Sequence, residues 1–511
     1  MRVCLINPLI QNSMWENDLA AKWPPLGIAY IAAALEKAGH EVRILERRWL
    51  IGGRKRTHEN LAALDDLTRA VLGGFGPAIV GVTATTTQIS DAYRTAKIVK
   101  RLDSSIQVIV GGCHATVEPA STLDQCPEID AVVRGEGEEV MCEIASGAPF
   151  PTIKGLTLRG GLGIIHNPIR AFVQDLDQLP YPARHLLDRQ TYFSSNGTTL
   201  RGFFLNATNV FTTRGCPYSC SYCARDCLAA ANTGPYVRFQ SPEYVMNEIT
   251  HLMNEYGVDG ILFAEDIFAL RKARVELLCE KMLSSGISGR IRWGTNLRVD
   301  CVTPALLKLM REAGCVRIIY GCESGSQRIL DLLGKKANVE QNEAAVRHTK
   351  EAGISCEVNM MMGLPTETAD DILATISFLK RCHPDRINKG KLYPIPGTRL
   401  YKEFLANGII SKPDNWDDLW DKYVAADFTF ADMTPQRFNE LFAKFEREVS
   451  LPTNYKFHIS TNLWKHPLYA LEQSVLMATH LAVMHAFSTK GRRRVRKAAE
   501  VFRVKSRLVA R

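Results

Sequence analysis

Thr213-Arg214-Gly215-Cys216-Pro217-Tyr218-Ser219-Cys220-Ser221-Tyr222-Cys223 offers three thiols within eight residues, spaced C-x3-C-x2-C. The run opens a series of short β-rich segments at 209–213, 260–264, 291–295, 316–320, 355–361 and 387–392, each pair separated by a helical pattern. This alternation predicts six βα units, hence a partial barrel of parallel strands. In such barrels the working residues gather at the C-terminal ends of the strands, and the cysteines stand at the first of those ends. Three thiolates hold an iron–sulfur cluster with one iron left open, whereas a structural zinc or a simple electron-transfer cluster takes four ligands. Cys227 lies four residues further on and could complete a four-cysteine site, so zinc or a closed cluster stands as the alternative.

Upstream, residues 1–145 alternate β-rich runs (2–6, 42–45, 79–83, 108–110, 131–133) with helix-like stretches such as 27–39 and 89–102. That is the pattern of a parallel, doubly wound sheet, in which ligands sit outside the carboxyl ends of the strands. Those ends read Asn7-Pro8, Thr83-Ala84-Thr85-Thr86-Thr87, Gly111-Gly112-Cys113-His114-Ala115-Thr116 and Arg134-Gly135-Glu136-Gly137-Glu138. Glycines let backbone amides approach a ligand and hydroxyls bond ribose or phosphate, so a nucleotide-like ligand suits this edge. Ordinary tight βα turns have the same composition and remain the alternative. The Pro- and Gly-rich stretch 146–204 reads as a connector, the barrel occupies 205–410, and 411–511 is helical and aromatic, with Trp416, Trp420 and Trp464.

At 511 residues and 57.0 kDa the chain exceeds one ordinary core. No window approaches the roughly 18 uninterrupted apolar residues of a membrane span, and the opening MRVCLINP lacks the order of a signal peptide, so a cytoplasmic location is expected. Fourteen cysteines in such a chain read as buried thiols or metal ligands, since the cytosol keeps thiols reduced. The net charge of +9 resides in the tail: residues 490–511 hold ten Lys/Arg and one Glu, and 1–489 carry 53 charges of each sign. Attraction to nucleic acid or to an anionic membrane therefore belongs to the tail alone. The apolar, helical segment 468–487 directly before it fits peripheral membrane contact, RNA binding or a plain solvated helix, with nucleic acid the least favoured.

The CxxxCxxC run after the first strand of a βα barrel resembles the radical S-adenosylmethionine superfamily. The resemblance implies that Cys216, Cys220 and Cys223 hold a 4Fe-4S cluster and that the amino and carboxylate groups of S-adenosylmethionine chelate its fourth iron. Reductive cleavage to methionine and a 5'-deoxyadenosyl radical would follow, fed by a reductase or a flavodoxin- or ferredoxin-type donor. Other strand ends resemble family segments in order. Glu265 or Asp266, in Phe263–Phe268, would face the methionine amino group. Arg298 in 293–300, Glu323 and Ser324 in 321–325, and Gly363 in 362–365 would border the ribose, carboxylate and adenine. Read alone, Glu323-Ser324 could be a helix N-cap and Arg298 could pair Asp300 on the surface.

With its N-terminal α/β domain, the chain over 1–410 resembles the cobalamin-dependent branch of that superfamily. The marks are PPLGIAYIAAALEKAGHEV (24–42), GGCHAT (111–116), RGEGEE (134–139) and YPIPGTRLY (393–401). The resemblance implies a Rossmann-like cobalamin-binding domain, with Thr83, Thr85, Gly111, Gly112, His114, Thr116, Gly135 and Glu136 at the ligand. The D-x-H-x-x-G motif is absent, so cobalamin would bind base-off without histidine on the cobalt, and His114 would pack beside the nucleotide loop. Branch members include methyltransferases acting on unactivated carbon or phosphorus, and ring-forming enzymes such as the anaerobic magnesium-protoporphyrin monomethyl ester cyclase, which 238–402 most resembles. Methylation of a small-molecule or lipid-like substrate is the first expectation and oxidative cyclisation the second.

Overall fold

The computed structural model describes residues 1–10, 23–50, 58–193, 198–200, 203–425 and 427–462. Seven strands form the first sheet: β1 (Arg2–Asn7), β2 (Glu41–Glu46), β3 (Ile79–Thr83), β4 (Gln107–Gly111), β5 (Ala131–Val133), β6 (Leu156–Gly160) and β7 (Gly163–His166). Their order is β2-β1-β3-β4-β5-β6-β7. The first five are parallel, and the order in which strands are added reverses at β1, which pairs with both β2 and β3. Strand periodicity divides the side chains between two layers. Val3, Leu5, Ile79 and Ile109 pack with the helices Leu26–Lys37 and Glu138–Ala145, while Cys4, Ile6, Val80, Val82, Val108 and Val110 pack on the opposite face with Ile89–Leu102. Both faces are covered, which is why these strands read as continuous apolar runs.

The stretch 146–204, expected as a connector, holds β6 and β7, which pair antiparallel and extend the sheet beyond residue 145. Its short alternating runs hid among Gly and Pro because a hairpin at a sheet edge needs few apolar residues.

The second sheet is wholly parallel: β8 (Ala207–Val210), β9 (Gly260–Phe263), β10 (Arg292–Leu297), β11 (Cys315–Glu323), β12 (Ser355–Met362) and β13 (Arg386–Lys391), in that order. Phe263 and Phe268 stack against the sheet with Trp293 edge-on to Phe263, and Trp293 Nε1 donates to the Ala313 carbonyl at 2.8 Å. After the barrel the chain serves both units. Phe438, Leu441 and Phe445 of the helix Pro435–Phe445 join the barrel core. Trp416, Leu419 and Tyr423 join the first domain's core, where Leu364, Leu400 and Phe404 also lie. Residues 468–487 and the basic tail lie outside the described residues. Among the described residues no helix is long and apolar enough to cross a membrane.

Candidate active site

The cysteine loop is fixed at both ends by backbone. Thr213–Arg214 pairs antiparallel with Arg238–Phe239, and Gly215 adopts φ +89, with the Tyr236 carbonyl oxygen 2.4 Å from where a Cβ would stand. Only glycine can make that turn. Further along, Ser221 N donates to the Leu333 carbonyl and Leu400 N to that of Ser221, both at 2.9 Å. Cys216, Cys220 and Cys223 lie within electrostatic reach of one another; Cys220 is buried, Cys216 half-buried and Cys223 exposed. Three thiols on one pinned loop could hold an iron–sulfur cluster. Cys227 points elsewhere, its thiol donating to the Gly397 carbonyl beside Val117. Among the described residues no three His, Cys, Asp or Glu side chains are arranged to hold a single metal ion.

Beyond β9 stand the two acids. Glu265 is 3% exposed; its Oε1 accepts from Thr212 Oγ1 at 2.5 Å and its Oε2 has no partner. Burial raises its carboxyl to about 7. Asp266 is exposed to solvent, though the protein around it raises its carboxyl, and its charge reaches Cys216, Cys223 and, across the domain junction, Cys113. A carboxylate whose charge reaches the thiols, with a second, half-satisfied carboxylate next to it in sequence, suits a positively charged amino group.

Arg298 does pair with the exposed Asp300 at 2.9 Å, while its own buried guanidinium lies 3.5 Å from the Tyr218 ring centre and donates to the Lys335 carbonyl at 2.7 Å. Glu323 holds a left-handed φ of 64°, rare for a side-chain-bearing residue. Its Oε1 accepts from Tyr222 at 3.1 Å and from Lys335 Nζ at 3.0 Å. Ser324 departs from expectation: it is fully buried, lies 3.3 Å from Thr375 Oγ1 and accepts from Ser326 N at 3.1 Å. It supports the loop from behind and offers nothing to a ligand; the residue preceding the next helix, Gln327–Leu332, is Ser326. Gly363 (φ +76) donates its N–H to Glu367 at 2.7 Å and backs onto Phe438. Thr212, Tyr222 and Lys335 escaped sequence reading. The bracketing of Tyr222 by two cysteines of the C-x3-C-x2-C run was the available signal.

On the first domain's edge, Thr85 Oγ1 donates to Gln88 Oε1 at 3.0 Å, and Gln88 Nε2 donates to Asn7 Oδ1 at 3.1 Å. Gly112 (φ +96) brings its Cα against the backbone of Ala84 and the Thr83 hydroxyl, each within 2.9 Å of an added Cβ; Gly111 has ordinary contacts. Thr116 Oγ1 accepts from Gly135 N at 3.0 Å. His114 is buried edge-on against Trp416, ring centres 4.5 Å apart, with Nδ1 3.1 Å from Thr86 Oγ1, and burial lowers its pKa to about 3. It is thus a packed, neutral ring. Glu136 departs from expectation more sharply. It pairs with Arg214 at 2.8 Å and Arg238 at 2.9 Å and accepts from Val173 N at 2.9 Å. With Glu138, 2.6 Å from Arg214, it bolts the first domain to the strand leading into the cysteine loop. Charges 78 residues apart in sequence give no local sign of meeting.

A doubly wound domain whose strand ends meet a three-thiol loop on a parallel barrel defines a radical S-adenosylmethionine enzyme with an added cofactor domain. Residues 17–145 match the B12 binding domain and 210–379 the Radical SAM superfamily. An uncharacterized methyltransferase of Pyrococcus horikoshii is 32% identical over 84% of this chain and 87% of its own length. The anaerobic magnesium-protoporphyrin IX monomethyl ester cyclase of Cereibacter sphaeroides is 29% identical over 79% of this chain and 63% of its own. In fold, the methyltransferase TsrM of Kitasatospora setae, solved with cobalamin and a [4Fe-4S] cluster, superposes with a TM-score of 0.66 at 17% identity, covering 89% of this chain and 90% of that one. The chain belongs to the cobalamin-dependent radical S-adenosylmethionine enzymes, a family of methyltransferases with cyclase relatives. Its cofactors are a 4Fe-4S cluster, S-adenosylmethionine and cobalamin.

Proposed function

We propose that this enzyme transfers a methyl group to an unactivated carbon of a small-molecule or lipid-like substrate. The observation that carries this reading is the meeting of two ligand edges at Asp266, whose charge reaches both Cys113 on the first domain and Cys216 and Cys223 on the barrel. Methyl relay and hydrogen abstraction must act on one substrate carbon, so the groups that hold the two cofactors need to share one cleft. When bound, the cluster and S-adenosylmethionine supply a hydrogen-abstracting radical, and cobalamin supplies the methyl group.

The chain's own residues then have separable tasks. Cys216, Cys220 and Cys223 hold the cluster. Glu265 Oε2 and Asp266 receive the methionine amino group. The ion pairs of Glu136 and Glu138 keep the cysteine loop at a fixed offset from the first domain's strand ends, where Thr83, Thr85, Gly111, Gly112, Thr116 and Gly135 border cobalamin. A small redox protein of flavodoxin or ferredoxin type supplies the electron.

Oxidative cyclisation is the second reading, favoured by the likeness to the Cereibacter cyclase. Counting by-products separates the two. Methyl transfer consumes one S-adenosylmethionine as donor and another as radical source. Turnover of a candidate substrate should therefore release S-adenosylhomocysteine and 5'-deoxyadenosine in about equal amounts, with label from methyl-labelled S-adenosylmethionine in the product. Substrate-dependent deoxyadenosine without label transfer would reject methylation.

A further inference from the structure

The barrel strands divide their side chains between two faces, as the strands of the first sheet do. Ile318, Tyr320, Val358, Met360 and Ile387 join the core beneath the helices, so Ile319, Glu357, Asn359, Met361 and Asn388 point the other way, into the barrel. Asn359 is exposed although β12 is paired on both sides, and Asn388, its partner in register on β13, is half-buried. Gly390, in register with Met361, has nothing within 4 Å of where a Cβ would stand. An exposed side chain in the interior of a sheet, beside a glycine that faces nothing, marks open space within the barrel. Both asparagines stand below the strand ends where Glu323 and Gly363 are placed to border S-adenosylmethionine, so a group that meets them is part of the substrate.

Asn388 Nδ2 donates to Asn359 Oδ1 at 3.0 Å. That bond leaves the Asn388 carbonyl and the Asn359 amino group open, and turning both amides over leaves the same offer of one acceptor and one donor. The charges on this face are committed to one another: Glu357 to Arg317 at 2.8 Å and Arg386 at 3.8 Å, and Lys335 to Glu323 at 3.0 Å. An ion brought into this layer would lose water without gaining a counter-ion. A carboxylate would satisfy only the free amino group and an ammonium only the free carbonyl, whereas an amide or lactam meets both. Ile319 and Met361, half-buried on the same face, wall the space with hydrocarbon. We propose that Asn359 and Asn388 read the substrate, and that the group they hold is an uncharged amide or lactam. The proposal deepens the reading of a small-molecule substrate given above and rests on it.

The test uses the full-length protein with its cluster reconstituted and S-adenosylmethionine bound, and it needs no turnover. Saturation-transfer NMR titrations compare 2-pyrrolidinone, a neutral lactam, with pyrrolidine and butyrate, a cation and an anion of similar size. Wild type should bind the lactam in preference to either ion. Asn359→Leu and Asn388→Leu should each weaken lactam binding about tenfold, the worth of a hydrogen bond or two, with iron content and S-adenosylmethionine affinity at wild-type levels. Asn388→Asp should turn the preference toward pyrrolidine, because a charged acceptor replaces a neutral one; a pair that merely braced the barrel would show no such exchange. Equal lactam affinity in wild type and both leucine variants overturns the proposal, as does tighter binding of butyrate, absence of lactam binding to the wild type, or a loss confined to S-adenosylmethionine. The reaction is judged separately, by the by-product count: if S-adenosylmethionine is never cleaved, that reading falls and this proposal with it, whatever the lactam does.

Discussion

The carboxyl ends of the two parallel sheets carry the same kind of loop but treat charge in opposite ways. On the first domain, buried polar groups largely answer one another: Thr85 with Gln88, Gln88 with Asn7, Thr116 with Gly135, and Glu136 with two arginines. Burial alone would push the Glu136 carboxyl up; Arg238 and Arg214 outweigh it and hold the carboxyl low. On the barrel, Glu265 is buried more deeply; the Thr212 hydroxyl and the Arg274 charge do not offset that burial, and its carboxyl rises to about 7. Both acids were expected at a ligand; Glu136 is taken up by two arginines, whereas Glu265 keeps one carboxylate oxygen without a partner. A charge already neutralised by arginines has little left to offer, whereas an unpaired one gains by binding a cation.

The largest effect that probes this contrast lies at the barrel edge. Alanine at Cys216, Cys220 or Cys223 should abolish the reconstituted cluster, measured as iron per chain, and with it all 5'-deoxyadenosine. Cys227→Ala, whose thiol is held at Gly397, should retain both. Cluster loss in the Cys227 variant would mean that the open-iron assignment is wrong.

Next comes the first domain's edge. Gly112→Val sets a side chain within 2.9 Å of Ala84 and Thr83 and forces a left-handed φ on a β-branched residue, a strain of about 1–3 kcal/mol. Hydroxocobalamin binding should fall by an order of magnitude or more while iron content holds, because the barrel has its own apolar core. Equal loss of iron and cobalamin would show that the two edges are not separable.

Breaking the bolt between them is a smaller perturbation. Glu136→Gln keeps the shape and removes the charge facing Arg214 and Arg238. These pairs are neither exposed nor fully buried, so the loss should be on the order of 2 kcal/mol in chemical unfolding. A direct cobalamin ligand would instead lose affinity at unchanged stability, and calorimetry on both readouts decides.

The smallest effect is one of pH. The Glu265 carboxyl is raised above its unfolded value near 4.5, so the folded state holds the proton more tightly. Its contribution to stability is complete below pH 4.5 and is lost as pH rises through about 7. Compared with Glu265→Gln, the cofactor-free wild type should therefore lose more stability between pH 5 and 8, by roughly 1.4 kcal/mol per pKa unit at most. Parallel pH profiles would place Glu265 in a better solvated setting than its burial indicates.

Sequence carried the parts of this design that are local. The C-x3-C-x2-C spacing, the glycines that need positive φ and the alternation of strand and helix are all set within a few residues, and the parallel strands of both sheets follow from them, though the β6–β7 hairpin does not. What escaped is long-range. Glu136 meets Arg214 across two domains, Lys335 reaches Glu323 from beyond a helix, and Asn232 fills the space over a glycine 97 positions earlier. Ser324 shows the converse hazard: a hydroxyl in the expected place can be turned inward by a partner such as Thr375, 51 residues away.

The core that the helix Ile89–Leu102 begins is completed by Trp416, Leu419 and Tyr423. During synthesis the strands of the first sheet leave the ribosome long before those three residues exist. At roughly 5–20 residues per second the gap lasts tens of seconds. Through that interval Val80, Val82 and the helix over them lack part of their covering, so the nascent first domain is an expected chaperone client. A chain halted before residue 411 would release a protein whose cofactor domain is fully translated yet unfinished.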